Sequence, residues 1–217
     1  MEYIVTKKNQ KIDNFLKKTK KELDAFFGFE VREPAVLLLT SRKQLDSLWE
    51  RKTEKWEVGG TRTLKGTQNG IIFILSPEVY CRQSTHKDPK VFWKTLKHEY
   101  CHIYFQQITG SSRPIWFNEG LASYMAGQKK SGGNPMDVFD YFDIGGEGVY
   151  QVGYFWVNFL VENFGEKKIK QLANALRTNN ALSSKSFSYI FFRIYGFKFN
   201  YKSLKAILDK GLKLQSG

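Results

Sequence analysis

Two histidines and a glutamate stand within five residues in His98-Glu99-Tyr100-Cys101-His102, inside the run DPKVFWKTLKHEYCHIYFQQ. A helix advances about 100° per residue, so His98 and His102 lie about 40° apart and roughly one turn along the axis, with Glu99 beside them. Neutral imidazole is a good zinc ligand. A catalytic zinc held by two histidines needs a third protein ligand and an open position for water, and a neighbouring carboxylate can take a proton from that water. Cys101 lies about 60° round from His98. As a metal ligand it competes with plain packing of a small side chain, which accounts for it without any metal. The third histidine, His86, has no matching partner and reads as a loop residue.

The elements that must position these groups follow from periodicity and punctuation. The first 30 residues read as one amphipathic helix ending near Gly28, with Ile12, Phe15, Leu16, Leu23 and Phe26 as its apolar stripe and Lys17, Lys18, Lys20 and Lys21 on its wet face. Residues 34–40 form a short apolar run of strand length. Ser41 is the N-cap expected for a second helix carrying Leu45, Leu48, Trp49 and Trp56. Glycines at 59, 60, 66 and 70 mark a turn-rich stretch, and Ile71 to Leu75 is the best strand candidate, closed by Pro77. Asp88-Pro89 starts the motif helix, which runs to about Ile108.

After the break at residues 110–114 a helix restarts at Ile115 and continues to Met125. Glu119 falls on it, seventeen residues after His102. That spacing lets the chain finish one helix, turn, and bring a side chain back to the first. Residues 128–148 read as irregular. Asp137, Asp140 and Asp143 recur every third residue there but lack the glycine and terminal glutamate of a calcium loop, so a solvated loop or a movable cover is expected. Val149 to Asn163 reads as a central helix buried on nearly every side. Helices at Lys168–Arg177, Ser186–Tyr195 and Tyr201–Leu212 complete the chain.

The sequence has 217 residues, with 41% hydrophobic and 16% aromatic residues, which places it outside the range of disordered chains. One domain spanning 1–217 is expected, with an α/β part over 1–110 that includes the motif helix and a helical part over 111–217. No apolar run approaches the roughly 20 residues that cross a bilayer, and no signal core follows the start, so a soluble cytoplasmic protein is expected. Two cysteines, Cys81 and Cys101, form no disulfide framework. The net charge of +13, from 34 basic and 21 acidic residues, leaves nucleic acid or another polyanion as a second class of partner. A lysine-rich solvated surface explains the same charge without a dedicated site.

Three pieces of sequence together resemble a known family. His98 to His102 read HExxH, Trp116 to Gly120 read tryptophan-hydrophobic-Asn-Glu-Gly, and Tyr150 to Gly153 read Tyr-x-x-Gly. Over roughly residues 60–210 the chain resembles the gluzincin metallopeptidases, zincins whose third ligand is glutamate. It resembles most of all the peptidase MA-like domains related to the aminopeptidase branch. The resemblance implies an α+β, zincin-like fold with a small sheet packed on the HExxH helix and a mainly helical C-terminal part. It also implies Zn2+ held by His98, His102 and Glu119, with Glu99 as general base and Tyr150 as hydrogen-bond donor to the oxyanion of the tetrahedral intermediate.

Asn118 and Ser123 flank Glu119 as residues that could orient the ligands, although some zincins carry aspartate at the position of Ser123. The strand Ile71 to Leu75 would be the edge to which an extended peptide adds, an interior strand being the equal alternative. The aminopeptidase branch carries an acidic Gly-x-Met-Glu-Asn segment before its motif helix. Here the corresponding region reads EVGGTRTLKGTQNG, which points to endopeptidase action on a peptide or protein substrate. Two other readings stay open at this level. One is a basic polyanion-binding module with a structural or vestigial zinc site; the other is a latent protease whose N-terminal helix or 128–148 loop blocks the cleft.

Overall fold

A computed structural model describes residues 9–63, 69–146, 148–178 and 183–215. The chain is α+β, and it divides into two compact units, Met1–Tyr104 and Phe105–Gly217.

In the first unit, helix α1 spans Gln10–Phe27. Asn9 caps it by accepting from the backbone amides of Lys11 and Ile12, and Gly28 ends it in the left-handed region at φ 75°, where only glycine is unstrained. Ile12, Leu16, Leu23 and Phe26 are buried while Lys17, Lys18 and Lys21 are exposed, so these lysines are the solvated face of an amphipathic helix. Residues 1–8 of the expected helix lie outside the described residues.

Strand β1 spans Ala35–Leu39 and helix α2 Arg42–Trp49, with Ser41 at the N-cap position. The helix stops short of Trp56, contrary to the sequence reading. Glu50 turns into the left-handed region at φ 56°, and the Asp46 carboxylate accepts from the amide and hydroxyl of Thr53 at 2.8 and 2.5 Å, folding the following segment back on the helix.

Strands β2, Gly59–Thr63, and β3, Gly70–Leu75, complete a mixed sheet in the order β1-β3-β2. β3 pairs parallel with β1 and antiparallel with β2. The strand at 71–75 is therefore the interior one, and the expectation of an edge there is corrected. Ile72 to Leu75 are all buried, as befits a strand bonded on both sides and covered on both faces. Among the described residues β2, antiparallel to β3, is an edge strand of this sheet instead.

After the short helix α3, Pro77–Tyr80, comes α4, Lys90–Thr109, whose first turn is capped by Asp88 accepting from Lys90 N at 2.9 Å. Within the first unit α4 presents two structural faces. Toward α1 it offers Trp93, against Phe15 at 5.0 Å between ring centroids. On the same face Lys97 pairs with Glu22 at 2.5 Å and the Tyr104 hydroxyl donates to Asp24 at 2.5 Å. Toward the sheet it offers Glu99, bonded to Thr61 of β2, and Ile103, packed against Gly70 of β3. By helical rotation His98 and His102 lie about 140° from the face that meets α1. Helix α1 over its described residues is thus packed away from the histidines, so it does not serve as their cover.

In the second unit, α5 spans Ile115–Met125, a 3-10 turn Pro135–Phe139, and helices α6 Val149–Phe164, α7 Glu166–Ala175, α8 Ser184–Tyr195 and α9 Tyr201–Gln215 follow. α6 is buried on one face, at Val149, Val152, Gly153, Trp156, Val157 and Leu160, and not all round as its composition suggested. Phe155 and Phe159 stack on each other, half-buried, beside that face.

The 128–148 segment is largely anchored. The amides of Ile115 and Trp116, unpaired within α5 because they open it, donate to Phe142 O and Tyr141 O at 3.0 and 2.9 Å. Trp156 Nε1 donates to Pro135 O at 2.7 Å. Of the three spaced aspartates, Asp137 accepts from Asn134 and Asp143 pairs with Arg113 at 3.0 Å, so these two serve local bonding.

The contact that sets α5 on α6 is backbone to backbone. A methyl group added at Gly120 would meet the carbonyl of Gly153, and one at Gly153 would meet the carbonyl of Trp116. The glycines of the two sequence motifs are thus the two sides of one close helix crossing. Neither helix can yield without losing hydrogen bonds. Gly153→Ala should therefore destabilise the protein by about 2–3 kcal/mol, whereas Gly145→Ala, whose methyl would meet only Ile115 at 3.8 Å, should change little. Urea denaturation of the two variants decides this.

Candidate metal centre

Helix α4 carries His98 and His102 one turn apart, and both are buried. Their rings stand edge to face, with centroids 4.6 Å apart and planes at 88°. That arrangement aims two imidazoles at a shared point while keeping them from stacking. Glu119 sits in the first half of α5, half-buried. The three offer one ligand atom each, and these atoms all lie within 4.8 Å of one another. Two imidazole nitrogens and one carboxylate oxygen suit zinc, whose ligand bonds of ~2.0–2.2 Å would draw the three atoms closer together. Cys101 is buried but does not belong to this group. Its place on α4 is explained by packing.

Glu99 is also buried, at 9% exposure, and stands outside the three converging ligands. Its carboxylate has a definite partner. Thr61 Oγ1 on β2 donates to Glu99 Oε2 at 2.7 Å and also lies 3.1 Å from the Glu99 carbonyl. A buried carboxylate is costly unless hydrogen-bonded, and this bond fixes one oxygen while leaving the other available. Nearby, Tyr80 is fully buried and hydrogen-bonded to Thr95 at 2.7 Å; burial pushes its phenol well above the usual range, with the Glu99 charge acting in the same direction. That neighbour therefore stays neutral.

No protein-family model matches the sequence, and no curated protein matches it. The site's chemistry therefore rests on its own residues.

Tyr150 is the second residue of α6 and half-buried. The ammonium of Lys130 lies over its ring, 5.6 Å from the centroid. Lys130 also feels the charge of Glu119, which works against the desolvation that lowers its pKa. Asn118, beside Glu119, is buried. Ser123 is fully buried, but its hydroxyl makes no hydrogen bond among the described residues, so it does not orient a ligand as the sequence suggested. His86 serves its loop, with Nε2 3.2 Å from Trp56 O and its ring stacked on Tyr80.

Two residues escaped the sequence reading. Thr61 lies in a stretch notable there only for lacking an acidic anchor, and its bond to Glu99 spans 38 residues. Lys130 was one lysine among many. Neither position carries a motif, since a strand-to-helix contact and a loop charge leave no spacing rule.

The ligand group predicts stoichiometric zinc in the purified protein by elemental analysis. His102→Ala and Glu119→Gln should each weaken zinc binding by at least the ~10–100-fold that loss of a supporting residue costs. Cys101→Ser should keep zinc, and loss of the metal in that variant would return the cysteine to the ligand set.

Proposed function

We propose that this chain is a zinc-dependent metallopeptidase of gluzincin type, built on a zincin-like α+β fold, and that it cleaves extended peptides internally. The observation that carries the reading is the convergence of His98, His102 and Glu119, with a buried Glu99 held beside them by Thr61. His98 and His102 would hold zinc through nitrogen and Glu119 through oxygen. Bound zinc supplies Lewis acidity to a water and to the scissile carbonyl.

The remaining chemistry belongs to side chains. Glu99 takes the proton of the attacking water as the carbon–oxygen bond forms, and returns it to the departing amine as the carbon–nitrogen bond breaks. Its Oε2 is committed to Thr61, which leaves the second oxygen to carry that proton in both directions. Tyr150 donates its phenolic hydrogen to the oxyanion of the tetrahedral intermediate, where a placed donor contributes a few kcal/mol. The substrate backbone adds to β2, the strand with an open edge, which also carries Thr61. Strand addition of this kind recognises backbone and not a chain end. It accords with the absence of acidic residues from 58–70, of which 64–68 lie outside the described residues, while Glu57 before them is paired with Arg51.

Among the described residues no helix is long and apolar enough to cross a membrane.

Digestion of a peptide library by the zinc-loaded protein tests the reading. Internal cleavage is expected from wild type and none from Glu99→Gln, with zinc retained in both. Full activity of Glu99→Gln would end the general-base assignment. Salt-sensitive nucleic-acid binding with no hydrolysis would favour the polyanion module. Thr61→Val should lower kcat roughly ten- to a hundredfold, as expected for loss of a hydrogen bond to a charged group, with KM little changed. Thr61→Ser should restore it.

A further inference from the structure

Lys130 is a charged group whose surroundings do not satisfy it. Its side chain is half-buried at the end of the segment that follows α5. Removing an ammonium from water is costly unless acceptors replace the water. Lys130 has three N–H donors, yet among the described residues it makes no hydrogen bond and no ion pair. What it does have is the face of Tyr150 at 5.6 Å and the more distant charge of Glu119.

The segment is placed by its contact with α6. Gly133, at φ 78°, lies against Gln151 and Val152 in the first turns of α6, which brings the Lys130 segment onto the start of that helix. Tyr150 is the neighbouring residue of the same turn.

The electrostatics sharpen when the proposed metal is bound. Among the described residues Glu119 is the one anionic group acting on Lys130. As a zinc ligand it would share its charge with a dication, and the ammonium would lose most of its neutralising field. Lys130 is then left with N–H donors beside Tyr150 and with the greater need of an anion to offset its desolvation. A carboxylate meets that need best, because a hydrogen bond between ionised groups is about twice as strong as one between neutral groups.

We propose that Lys130 is a substrate-binding residue for a carboxylate, so that the site takes peptides carrying an anionic group close to the bond that is cut. This inference rests on the peptidase reading above. Two sources supply the same chemistry: the free C-terminal carboxylate of a short peptide, and the side chain of aspartate or glutamate. Adding to an open strand edge does not by itself choose between peptides, since every peptide has the same backbone. A single desolvated cation supplies that choice.

The test uses binding, so that it does not depend on turnover. Zinc-loaded Glu99→Gln protein is immobilised and offered a pool of octapeptides in four matched forms: glutamate or glutamine at the central positions, each with a C-terminal carboxylate or carboxamide. Retained peptides are quantified by mass spectrometry. One of the two carboxylates should enrich its peptides about tenfold over the neutral counterpart, and the comparison of arms shows which.

Adding Lys130→Met to the Glu99→Gln protein should abolish that enrichment, and adding Lys130→Arg should keep it. Lys130→Gln stands in if the methionine variant unfolds, with zinc content and the thermal midpoint as checks. Equal retention of all four forms, or enrichment that persists without the lysine, overturns the inference. Cleavage by wild type separates the two claims. Hydrolysis without charge preference removes the role of Lys130 alone. Lysine-dependent retention without hydrolysis leaves the carboxylate site standing and removes the peptidase reading.

Discussion

The 100° step of helix α4 governs how this chain is put together. Over fifteen residues its first-unit portion meets α1 through Trp93, Lys97 and Tyr104, and the sheet through Glu99 and Ile103. His98 and His102 fall on neither face. Because these polar groups are buried along with Glu99, each must find a partner other than water. Glu99 finds Thr61. The histidines converge with Glu119. A helix with so many buried sides has no room for polar residues without a task, so the HEYCH stretch demands an explanation beyond packing.

A second constraint acts in the helical unit. Gly120 and Gly153 allow α5 and α6 to meet backbone against backbone, and Glu119 directly precedes the first of them while Tyr150 lies three residues before the second. Side chains on helices in such close contact are held by main-chain geometry and not by adaptable packing. The aromatic layer behind α5 adds to this. Trp116 stacks on Phe199 at 5.5 Å with planes 4° apart, and meets Phe187 edge-on. A metal ligand gains from such rigidity, because ligand atoms that stay put do not need to be ordered when an ion arrives.

The charge of the protein is distributed in two ways. The lysines of α1 are a solvated face, or are paired as in Lys20 with Asp24 at 2.6 Å. Surface charges of this kind maintain solubility and contribute little to stability. Lys130 differs, since it is partly withdrawn from water with no hydrogen-bond acceptor among the described residues. The same residue type therefore plays unlike parts, and only its surroundings tell them apart.

Much of the architecture was legible in sequence. Gly28, Ser41 and Asp88 mark helix ends where they were expected, and the apolar stripe of α1 and the strands at 35–39 and 70–75 follow from local patterning. The two histidines also follow from spacing alone, because i and i+4 share a helical face whatever the helix packs against. What sequence could not state was pairing. Whether Ile71–Leu75 is an edge or an interior strand depends on which strands flank it, and Gly59–Thr63 joins it through glycines and threonines that lack strand-like hydrophobicity. The end of α2 was decided by Asp46 folding the chain back through Thr53, and the one-sided burial of α6 by its neighbours. Thr61 and Lys130 belong to the same class. A hydrogen bond across 38 residues and the isolation of a charge are properties of distance in space, so local chemistry named the candidate ligands while tertiary packing alone decided their company.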